Sequence, residues 1–152
     1  MRVKIFEVAD HLPTAFDALR DQARTEGHRS LDRLADDWSK GATRFDGEGE
    51  ALLVVEADGV LAGIGGLTVD PTIPDALRMR RFYVQPSCRR QGIARAIASD
   101  LIRRYAGQGK GITVNAATTM ASGFWEALGF EPRFGPGITH SLTTDKQLFR
   151  TV

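Results

Sequence analysis

Apolar residues recur with two different spacings along the chain, and the spacing predicts which segments are strands and which are helices. At residues 2–8 apolar and charged residues alternate, which is typical of a strand with one buried face. At residues 11–27 and 30–41 the apolar residues fall three or four positions apart, which predicts two helices. Ser30 is the predicted N-cap of the second helix, and Trp38 belongs to its apolar face.

A hairpin is predicted next, at residues 51–69. Two apolar runs flank Asp58 and Gly59, and both residue types tolerate the positive φ angles that a tight turn between strands requires. A loop with two prolines separates this hairpin from the next strand. The remaining predicted elements are a strand at 77–84, a helix that begins after Gly92, a strand at 111–117, a helix at 120–130, and two strands around the Gly-Pro-Gly loop at 135–137.

The predicted order is β-α-α-β-β-β-α-β-α-β-β, which gives seven strands and four helices. Consecutive strands that form hairpins pair antiparallel, so we predict an α/β protein with a mixed, mostly antiparallel central sheet flanked by the helices. The sequence has no repeat, low-complexity stretch or Gly/Ser-rich linker that would divide it. Residues 1–152 therefore fit one domain with a sizeable core.

Composition and charge narrow the class of partner. Apolar residues make up 42% of the chain, and 20 Lys and Arg residues face 19 Asp and Glu residues. The formal charge of +1 gives no support for bulk binding of nucleic acid or of an anionic membrane, so any anion site must be local. A single cysteine and the lack of a signal-peptide or membrane-spanning pattern favour a cytoplasmic protein. Three scattered histidines without paired ligand spacing predict no metal site.

The junction between the strand at 77–84 and the following helix has the chemistry of an anion site. The motif RRQGIA, residues 89–94, places two arginines and a glycine where the helix begins. The first turn of a helix presents N–H groups without intrahelical partners, and glycine lets a phosphate approach that backbone closely. An ordinary loop with solvated arginines is the alternative, and spacing alone does not decide between the two.

The wider pattern resembles the GNAT superfamily of N-acetyltransferases. Residues 82–102, FYVQPSCRRQGIARAIASDLI, look like the acetyl-coenzyme A signature of that family, in which a strand ending in Tyr-Val-x-Pro precedes Gln/Arg-x-x-Gly-x-Gly/Ala. The segment ASGFWEALGF, residues 121–130, resembles the second signature of the family. The two signatures stand in the expected order, and the predicted elements match the family fold across essentially the whole chain.

The resemblance implies a coenzyme site between two strands that splay apart. The main chain of Val84 would bond the pantetheine amides, and Phe124 would lie along the coenzyme. Thr118 stands where the family often has an asparagine that binds the coenzyme. The arginine side chains would add charge-assisted contacts, and the backbone N–H groups would cradle the pyrophosphate; the residues implied are Arg89, Arg90, Gln91, Gly92, Ile93, Ala94 and Arg95.

The resemblance also implies direct attack of an amine on the thioester, with the backbone N–H of Phe82 donating to the developing oxyanion. Besides Thr118, two positions depart from the family. Arg78 replaces a frequent glutamate base, and Trp125 replaces a frequent tyrosine that protonates the leaving thiolate. His140 is the candidate for a missing acid or base, because histidine exchanges protons near neutral pH. A packed histidine, or proton transfer through solvent, is the alternative.

The acceptor side is the least determined part of the prediction. Strict alternation would place Arg78 and Arg80 on the same strand face as Phe82 and Val84, which suggests an acceptor with a carboxylate or phosphate. Pairing of these arginines with neighbouring acids is the alternative. Trp38 is a further candidate for acceptor contact, although its place in the apolar stripe of its helix also predicts core packing.

The functional prediction is an acetyl-coenzyme A-dependent transferase that acetylates a primary amine of a small molecule, with a protein amine as the alternative acceptor. A non-catalytic acyl-coenzyme A sensor with the same fold is the alternative function, since the family's glutamate and tyrosine are both replaced. A homodimer is compatible with the resemblance, because related folds often pair. The acceptor, the preferred acyl chain and the oligomeric state do not follow from the sequence.

Overall fold

The sequence folds into the predicted order of elements in the computed structural model, which describes residues 2–105, 108 and 110–143. A 3₁₀ turn, Pro86–Cys88, follows the fourth strand. Within these described residues the strands are β1 (Val3–Glu7), β2 (Ala51–Ala57), β3 (Val60–Val69), β4 (Ala76–Val84), β5 (Gly111–Val114), β6 (Glu131–Gly135) and β7 (Ile138–Thr143), and the helices are α1 (Phe16–Thr25), α2 (Ser30–Lys40), α3 (Ile93–Tyr105) and α4 (Thr119–Ala127).

The seven strands form one sheet in the order β1-β2-β3-β4-β5-β7-β6. All neighbouring strands pair antiparallel except β4 and β5, which are parallel. The predicted mixed, mostly antiparallel sheet is therefore confirmed. The parallel pairing covers only residues 76–78 of β4 and 111–113 of β5. Beyond it the two strands separate, and residues 79–84 of β4 pair with β3 alone in the described part of the chain.

Helices cover both faces of the sheet and define two cores. On one face α3 and α4 bury Ile97, Leu101 and Trp125 against the central strands. On the other face α1 and α2 bury a second cluster that includes Leu31 and Trp38. Burial of a large apolar side chain contributes roughly 1.5–3 kcal/mol, so both helix pairs are held by their apolar stripes. Trp38 is 9% exposed, in agreement with core packing, and its predicted contact with an acceptor stays a prediction.

A β-bulge in β4 changes which side chains share a face. Gly66 pairs with Arg80 and Ile64 pairs with Tyr83, so β4 has one residue more than β3 between these pairs. Arg81 lies in the bulge and has a φ of 63°, in the left-handed region. An extra residue reverses the alternation of side chains beyond the bulge. The prediction of one face shared by the two arginines and the two apolar residues was therefore wrong.

The backbone conformation at the turns and helix ends agrees with most of the predictions made for them. The turn between β2 and β3 has φ angles of 51° at Asp58 and 80° at Gly59, as the hairpin prediction required. Gly41 ends α2 in the left-handed conformation. The predicted cap at the other end of α2 was wrong, because Ser30 is already helical and Arg29 is the N-cap residue, without a side-chain hydrogen bond.

Two features are absent from the described ranges. None of the helices there is of a length and apolarity that would let it cross a bilayer. The same ranges hold no group of three or more His, Cys, Asp or Glu side chains arranged to hold a metal ion.

Candidate active site

A cavity of about 770 Å³ lies between the end of β4, the first turn of α3 and one side of α4. Its position follows from the separation of β4 and β5, which leaves one edge of β4 without a partner strand among the described residues. Val84 contributes from the strand end, and Phe124 contributes from α4. The residues of the first signature that line the cavity are Arg89, Arg90, Gly92, Ile93, Ala94 and Arg95.

The backbone between β4 and α3 presents a row of free donors to this cavity. Ala96 makes the first helical hydrogen bond, to the carbonyl oxygen of Gly92 at 2.9 Å. None of the N–H groups from Arg90 to Arg95 donates to another described residue. Positive φ angles of 62° at Arg90 and 79° at Gly92 turn the loop into the helix. Free N–H groups at the positive end of a helix dipole favour a bound anion.

The side chains of residues 90–95 differ in burial and in whether they line the cavity. Ile93 is buried and belongs to the core, whereas Arg90 and Arg95 are exposed on the cavity wall. Gln91 is exposed, and its side chain is outside the cavity lining. The structure thus brings together at the cavity the residues that the first signature predicted, except Gln91, which is not among the lining residues.

The guanidinium of Arg89 is hydrogen-bonded to other groups of the protein. Its Nε donates to the carbonyl oxygen of Val84 at 3.0 Å, and its two terminal nitrogens donate to the carboxylate of Glu26. The hydroxyl of Tyr83 donates to the same carboxylate. The hydrogen bonds from Arg89 and then from Tyr83 lower the pKa of Glu26, while burial and then Glu26 raise the pKa of Tyr83. Arg89 therefore ties the strand end to the end of α1, which the sequence did not predict.

A cluster of aromatic rings packs next to the cavity, and Phe124 is the member of the cluster that lines it. Phe82 meets Trp125 edge-to-face, with ring centroids 5.0 Å apart, and Trp125 makes similar contacts with Phe124 and Phe130. Trp125 is 5% exposed, so the ring that replaces the family's tyrosine is a core side chain. An ideal Cβ on Gly65 would lie 2.8 Å from the ring of Phe82, which shows how closely β3 supports this ring.

Thr118 stands at the start of α4 and borders the cavity. Its hydroxyl oxygen accepts a hydrogen bond from the N–H of Ala121 at 3.1 Å and so caps the helix. Thr118 therefore caps α4, and it is also the residue that the resemblance assigns to coenzyme binding. The two uses are compatible, because a hydroxyl can donate one hydrogen bond while it accepts another.

Arg78 lies on the opposite side of the sheet, in a buried polar cluster. Its guanidinium donates to both carboxylate oxygens of Asp70, at 3.3 and 3.1 Å, and to the carbonyl oxygen of Pro136 at 3.2 Å. Thr113 donates to the same aspartate at 2.7 Å. Burial alone would raise the pKa of Asp70, but hydrogen bonds from Thr113 and from two backbone N–H groups, together with Arg78, outweigh it and lower the pKa to about 2. Pairing with a neighbouring acid is thus the arrangement at Arg78.

Arg80 faces the same side as Arg78 but has no such partner. Among the described residues no carboxylate lies within ion-pairing distance of its guanidinium, and the side chain is half-buried. The next residue, Arg81, reaches Asp37 of α2 at 3.4 Å. Of the two arginines predicted to meet the acceptor, Arg80 is the one whose charge is available.

His140 is buried and bonded at both ring nitrogens. Its Nε2 lies 2.8 Å from a carboxylate oxygen of Glu126, and its Nδ1 lies 2.7 Å from the hydroxyl of Thr139. The residue is 3% exposed. This arrangement leaves neither ring nitrogen free to meet an acceptor amine directly. Neither Glu126 nor Thr139 was predicted, and sequence spacing carries no sign of their contact with the ring.

Comparisons with known proteins agree with this geometry. Residues 21–139 match the family model described as the acetyltransferase (GNAT) domain. An Exiguobacterium sp. 255-15 protein assigned as an acetyltransferase is 25% identical, with a TM-score of 0.84 and coverage of 99% of this chain and 98% of that chain. No curated protein matches the sequence significantly.

Two more distant structures share the fold. The ribosomal-protein-S18-alanine N-acetyltransferase of Escherichia coli is 18% identical, with a TM-score of 0.67 and coverage of 95% of each chain. The PaiA N-acetyltransferase of Thermoplasma acidophilum, in complex with coenzyme A, is 16% identical with a TM-score of 0.63, over 93% of this chain and 97% of that chain.

Proposed function

Because the chain belongs to the GNAT family of acetyltransferases, we propose that it transfers an acetyl group from acetyl-coenzyme A to a primary amine of a small molecule. The observation that carries the proposal is one cavity that joins two features. Those features are the N–H groups from Arg90 to Arg95 and one edge of β4, neither of which has a hydrogen-bond partner within the described part of the chain. A pyrophosphate and an extended amide chain are the two parts of coenzyme A that such features would bind.

The residues present fit the coenzyme. The pyrophosphate would lie against the row of N–H groups, where Arg90 and Arg95 add positive charge and Gly92 keeps the backbone open, with no atom within 4 Å of an added Cβ. The N–H of Val84 would pair with the pantetheine arm, while its carbonyl oxygen is held by Arg89. Phe124 would pack along the arm. When bound, acetyl-coenzyme A supplies the activated acetyl group.

The chain would then contribute to the reaction mainly by positioning the two substrates and by supplying one backbone hydrogen-bond donor. Phe82 would donate its N–H to the thioester carbonyl oxygen, and its ring is fixed by Trp125 and by the close approach of Gly65. Proton transfer is assigned to solvent. Trp125 is a buried indole that can only donate, the guanidinium of Arg78 donates to Asp70, and both ring nitrogens of His140 are hydrogen-bonded.

A non-catalytic acyl-coenzyme A sensor remains the second candidate, favoured by the replacement of both family proton-transfer residues, at Arg78 and Trp125. Turnover separates the two functions. A cytoplasmic location and a homodimer stay predictions.

Two measurements on the purified chain test the proposal. In a thermal-shift titration, acetyl-coenzyme A and coenzyme A should stabilise the protein and ATP should not. At 100 times the Kd the gain is about 2.7 kcal/mol. Release of the coenzyme A thiol is then followed with a panel of primary amines. Stabilisation without thiol release from any amine would favour the sensor, and no stabilisation would contradict the coenzyme site.

Arg90→Gln isolates the phosphate contact, with Arg103→Gln as its matched control. Arg103 lies on the far turn of α3, is 74% exposed, and pairs with Asp100 on the same helix. We expect Arg90→Gln to raise the Kd for coenzyme A about tenfold, which is what one charge-assisted contact contributes. The control should leave the Kd unchanged.

A further inference from the structure

We propose that the acceptor amine carries a second, negatively charged group, and that Arg80, Arg33 and Arg81 form the site that binds it. This inference rests on the proposed acetyl transfer and adds the chemical class of its acceptor. It differs from the expectation drawn from strand alternation, because it excludes Arg78 and adds an arginine from α2 and the bulge residue itself.

The bulge in β4 places two consecutive arginines next to α2. Met79 and Phe82 pack in the α3–α4 core, and Tyr83 packs in the α1–α2 core. Arg80, next to Met79, therefore points to the side of α1 and α2. Arg81 reaches α2 as well, since its guanidinium lies 3.4 Å from the carboxylate of Asp37. A regular strand would have sent these two side chains to opposite faces.

Arg33 joins the pair by helix geometry. It lies four residues before Asp37 on α2, and residues at this spacing are neighbours on one face of a helix. Asp37 pairs with Arg81, so this face of α2 lies against the bulge. Arg33 is on the same face of α2, next to Asp37. The charges of Arg80 and Arg33 both act on Arg81. Burial and then Arg80 lower the pKa of Arg81, Arg33 adds to this, and Asp37 opposes it.

Only one of the three guanidinium groups, that of Arg81, has a carboxylate within ion-pairing distance among the described residues. Asp37 is the single acid of the described chain within 4.0 Å of any of them. The side chain of Arg81 is 13% exposed, whereas Arg80 is half-buried and Arg33 is exposed. Like charges that converge without enough counter-charge are a costly arrangement that an anionic ligand relieves. The planar guanidinium is also the side chain best shaped for a carboxylate or phosphate.

Arg20, Arg24 and Arg29 also converge on one carboxylate, that of Asp32, but each of them lies within 4.0 Å of it. The two other arginines on and next to β4 are neutralised instead. Arg78 is fully engaged by Asp70 and the Pro136 carbonyl, so its charge is neutralised within the protein. Arg89 is neutralised by Glu26 in the same way. The cluster around Arg80 is also adjacent to the chemistry, because Arg80 and Arg81 directly precede Phe82, the proposed oxyanion donor. An acceptor whose amine and acid are a few bonds apart would therefore span both.

The experiment compares acceptors that share an amine and differ in charge. β-Alanine is paired with β-alaninamide, and phosphoethanolamine is paired with ethanolamine; 1,4-diaminobutane represents cationic acceptors. We expect the charged member of at least one pair to have a kcat/KM about tenfold or more above its neutral partner. Which pair responds distinguishes a carboxylate from a phosphate. Equal rates within both pairs, or preference for the diamine, would overturn the inference.

Variants assign the effect to the cluster. Arg80→Gln should raise the KM for the anionic acceptor about tenfold and leave the KM for acetyl-coenzyme A unchanged. Arg103→Gln, an exposed arginine of α3, is the matched control and should change neither constant. Equal changes in both KM values for Arg80→Gln would mean that the residue supports the fold instead of selecting the acceptor.

A binding measurement keeps the inference testable even without turnover. The protein is first saturated with coenzyme A, which occupies the other anion site. Succinate and inorganic phosphate are then added at constant ionic strength, and the melting temperature is followed. At least one of them should stabilise the wild type more than Arg80→Gln. If neither does, the inference fails, whereas absence of acetyl transfer with a retained binding difference would contradict the proposed function alone.

Discussion

Arg80 and Phe82 are two residues apart on β4, and their side chains lie on opposite faces of the sheet. Phe82 packs with Trp125 in the α3–α4 core, and Arg80 points toward α1 and α2. The left-handed residue between them, Arg81, produces the reversal. One inserted residue thus separates the packed ring of Phe82 from the charge of Arg80, and Gly65 of β3 lies directly against that ring.

Gly65 should be intolerant of a side chain. A Cβ there would lie 2.8 Å from three atoms of the Phe82 ring, and that ring is already packed against Trp125. We expect Gly65→Ala to destabilise the protein by about 1–3 kcal/mol, the cost typical of overpacking. The displaced ring should also lower kcat more than it raises the KM for acetyl-coenzyme A. Chemical denaturation and steady-state kinetics measure the two effects.

Gly123→Ala is the matched control for this substitution. Gly123 lies within α4, and no atom lies within 4 Å of its added Cβ. Alanine in a helix interior is favoured over glycine by about 0.5–1 kcal/mol, so this variant should be equally or more stable. Wild-type stability and kcat in Gly65→Ala would show that the ring of Phe82 moves freely.

Trp38→Phe separates the two interpretations of Trp38. The ring is 9% exposed in the α1–α2 core, and the guanidinium of Arg44 lies over it at 5.7 Å. We expect Trp38→Ala to lose about 3–5 kcal/mol of unfolding free energy, and Trp38→Phe to lose less. The KM for the acceptor should stay unchanged in Trp38→Phe. A higher acceptor KM at wild-type stability would instead assign Trp38 to the acceptor.

Arg89 and Glu26 should act as one unit on coenzyme binding. Arg89 holds the carbonyl of Val84 at the strand edge, and Glu26 and Tyr83 hold Arg89. Removing either charge should loosen the same strand end. We expect Glu26→Gln and Arg89→Gln each to raise the KM for acetyl-coenzyme A about three- to tenfold, and the double variant to be no worse than the worse single one.

Asp21→Asn serves as the control on the same helix, because Asp21 is 73% exposed and its ion pair with Arg24 spans 3.7 Å. That variant should leave the KM unchanged. If the effects of Glu26→Gln and Arg89→Gln multiply in the double variant, the two residues act separately and the positioning role of the pair is refuted.

The sequence predicted the order of elements and the hairpin turn, and its first signature picked out most of the residues that line the cavity, because these features depend on local patterns. Apolar spacing reports burial within one element, and the first signature is a continuous stretch in which backbone and side chains act together. The acceptor side could not be predicted in the same way. A bulge at Arg81 leaves no mark in residue periodicity, and pairs such as Glu26 with Arg89 join residues far apart in the chain through side-chain contacts alone.

Stability should depend on the ionisation of Asp70 at acid pH. The pKa of this buried carboxyl is about 2 in the folded protein, below the value of about 3.9 for an ordinary aspartate. A lowered pKa stabilises the fold fully above pH ~4, and this stabilisation is lost as the pH falls through about 2. The difference corresponds to about 2–3 kcal/mol.

We therefore expect the wild type to exceed Asp70→Asn in unfolding free energy at pH 7, and the gap to shrink between pH 4 and 2. Denaturant titrations at several pH values measure it. Asp36→Asn is the control, since Asp36 is 59% exposed in its pair with Lys40 and should change stability by less than about 0.5 kcal/mol. A gap that stays constant from pH 7 to pH 2 would contradict the role of Asp70.

His140 should contribute to the fold more than to the chemistry. Both ring nitrogens are bonded, to Glu126 and Thr139, and the ring is buried. Removing one partner of a buried hydrogen bond costs about 1–3 kcal/mol, so we expect His140→Gln and Thr139→Val to be less stable by that amount. Because we propose that solvent carries out the proton transfers, kcat of both variants at saturating substrates should stay within about threefold of wild type. This corresponds to a change in the activation barrier below about 0.7 kcal/mol.

The informative comparison is between these two variants across pH. If His140 takes the amine proton through the Thr139 hydroxyl, both variants lose kcat together by more than tenfold, and both lose the same limb of the pH–rate profile. If the ring is structural, the profile keeps its wild-type shape in both, and only the midpoint of denaturation moves. Thr139→Val removes the hydroxyl but leaves the imidazole and Glu126 in place, so it distinguishes a proton path from the packing of the ring.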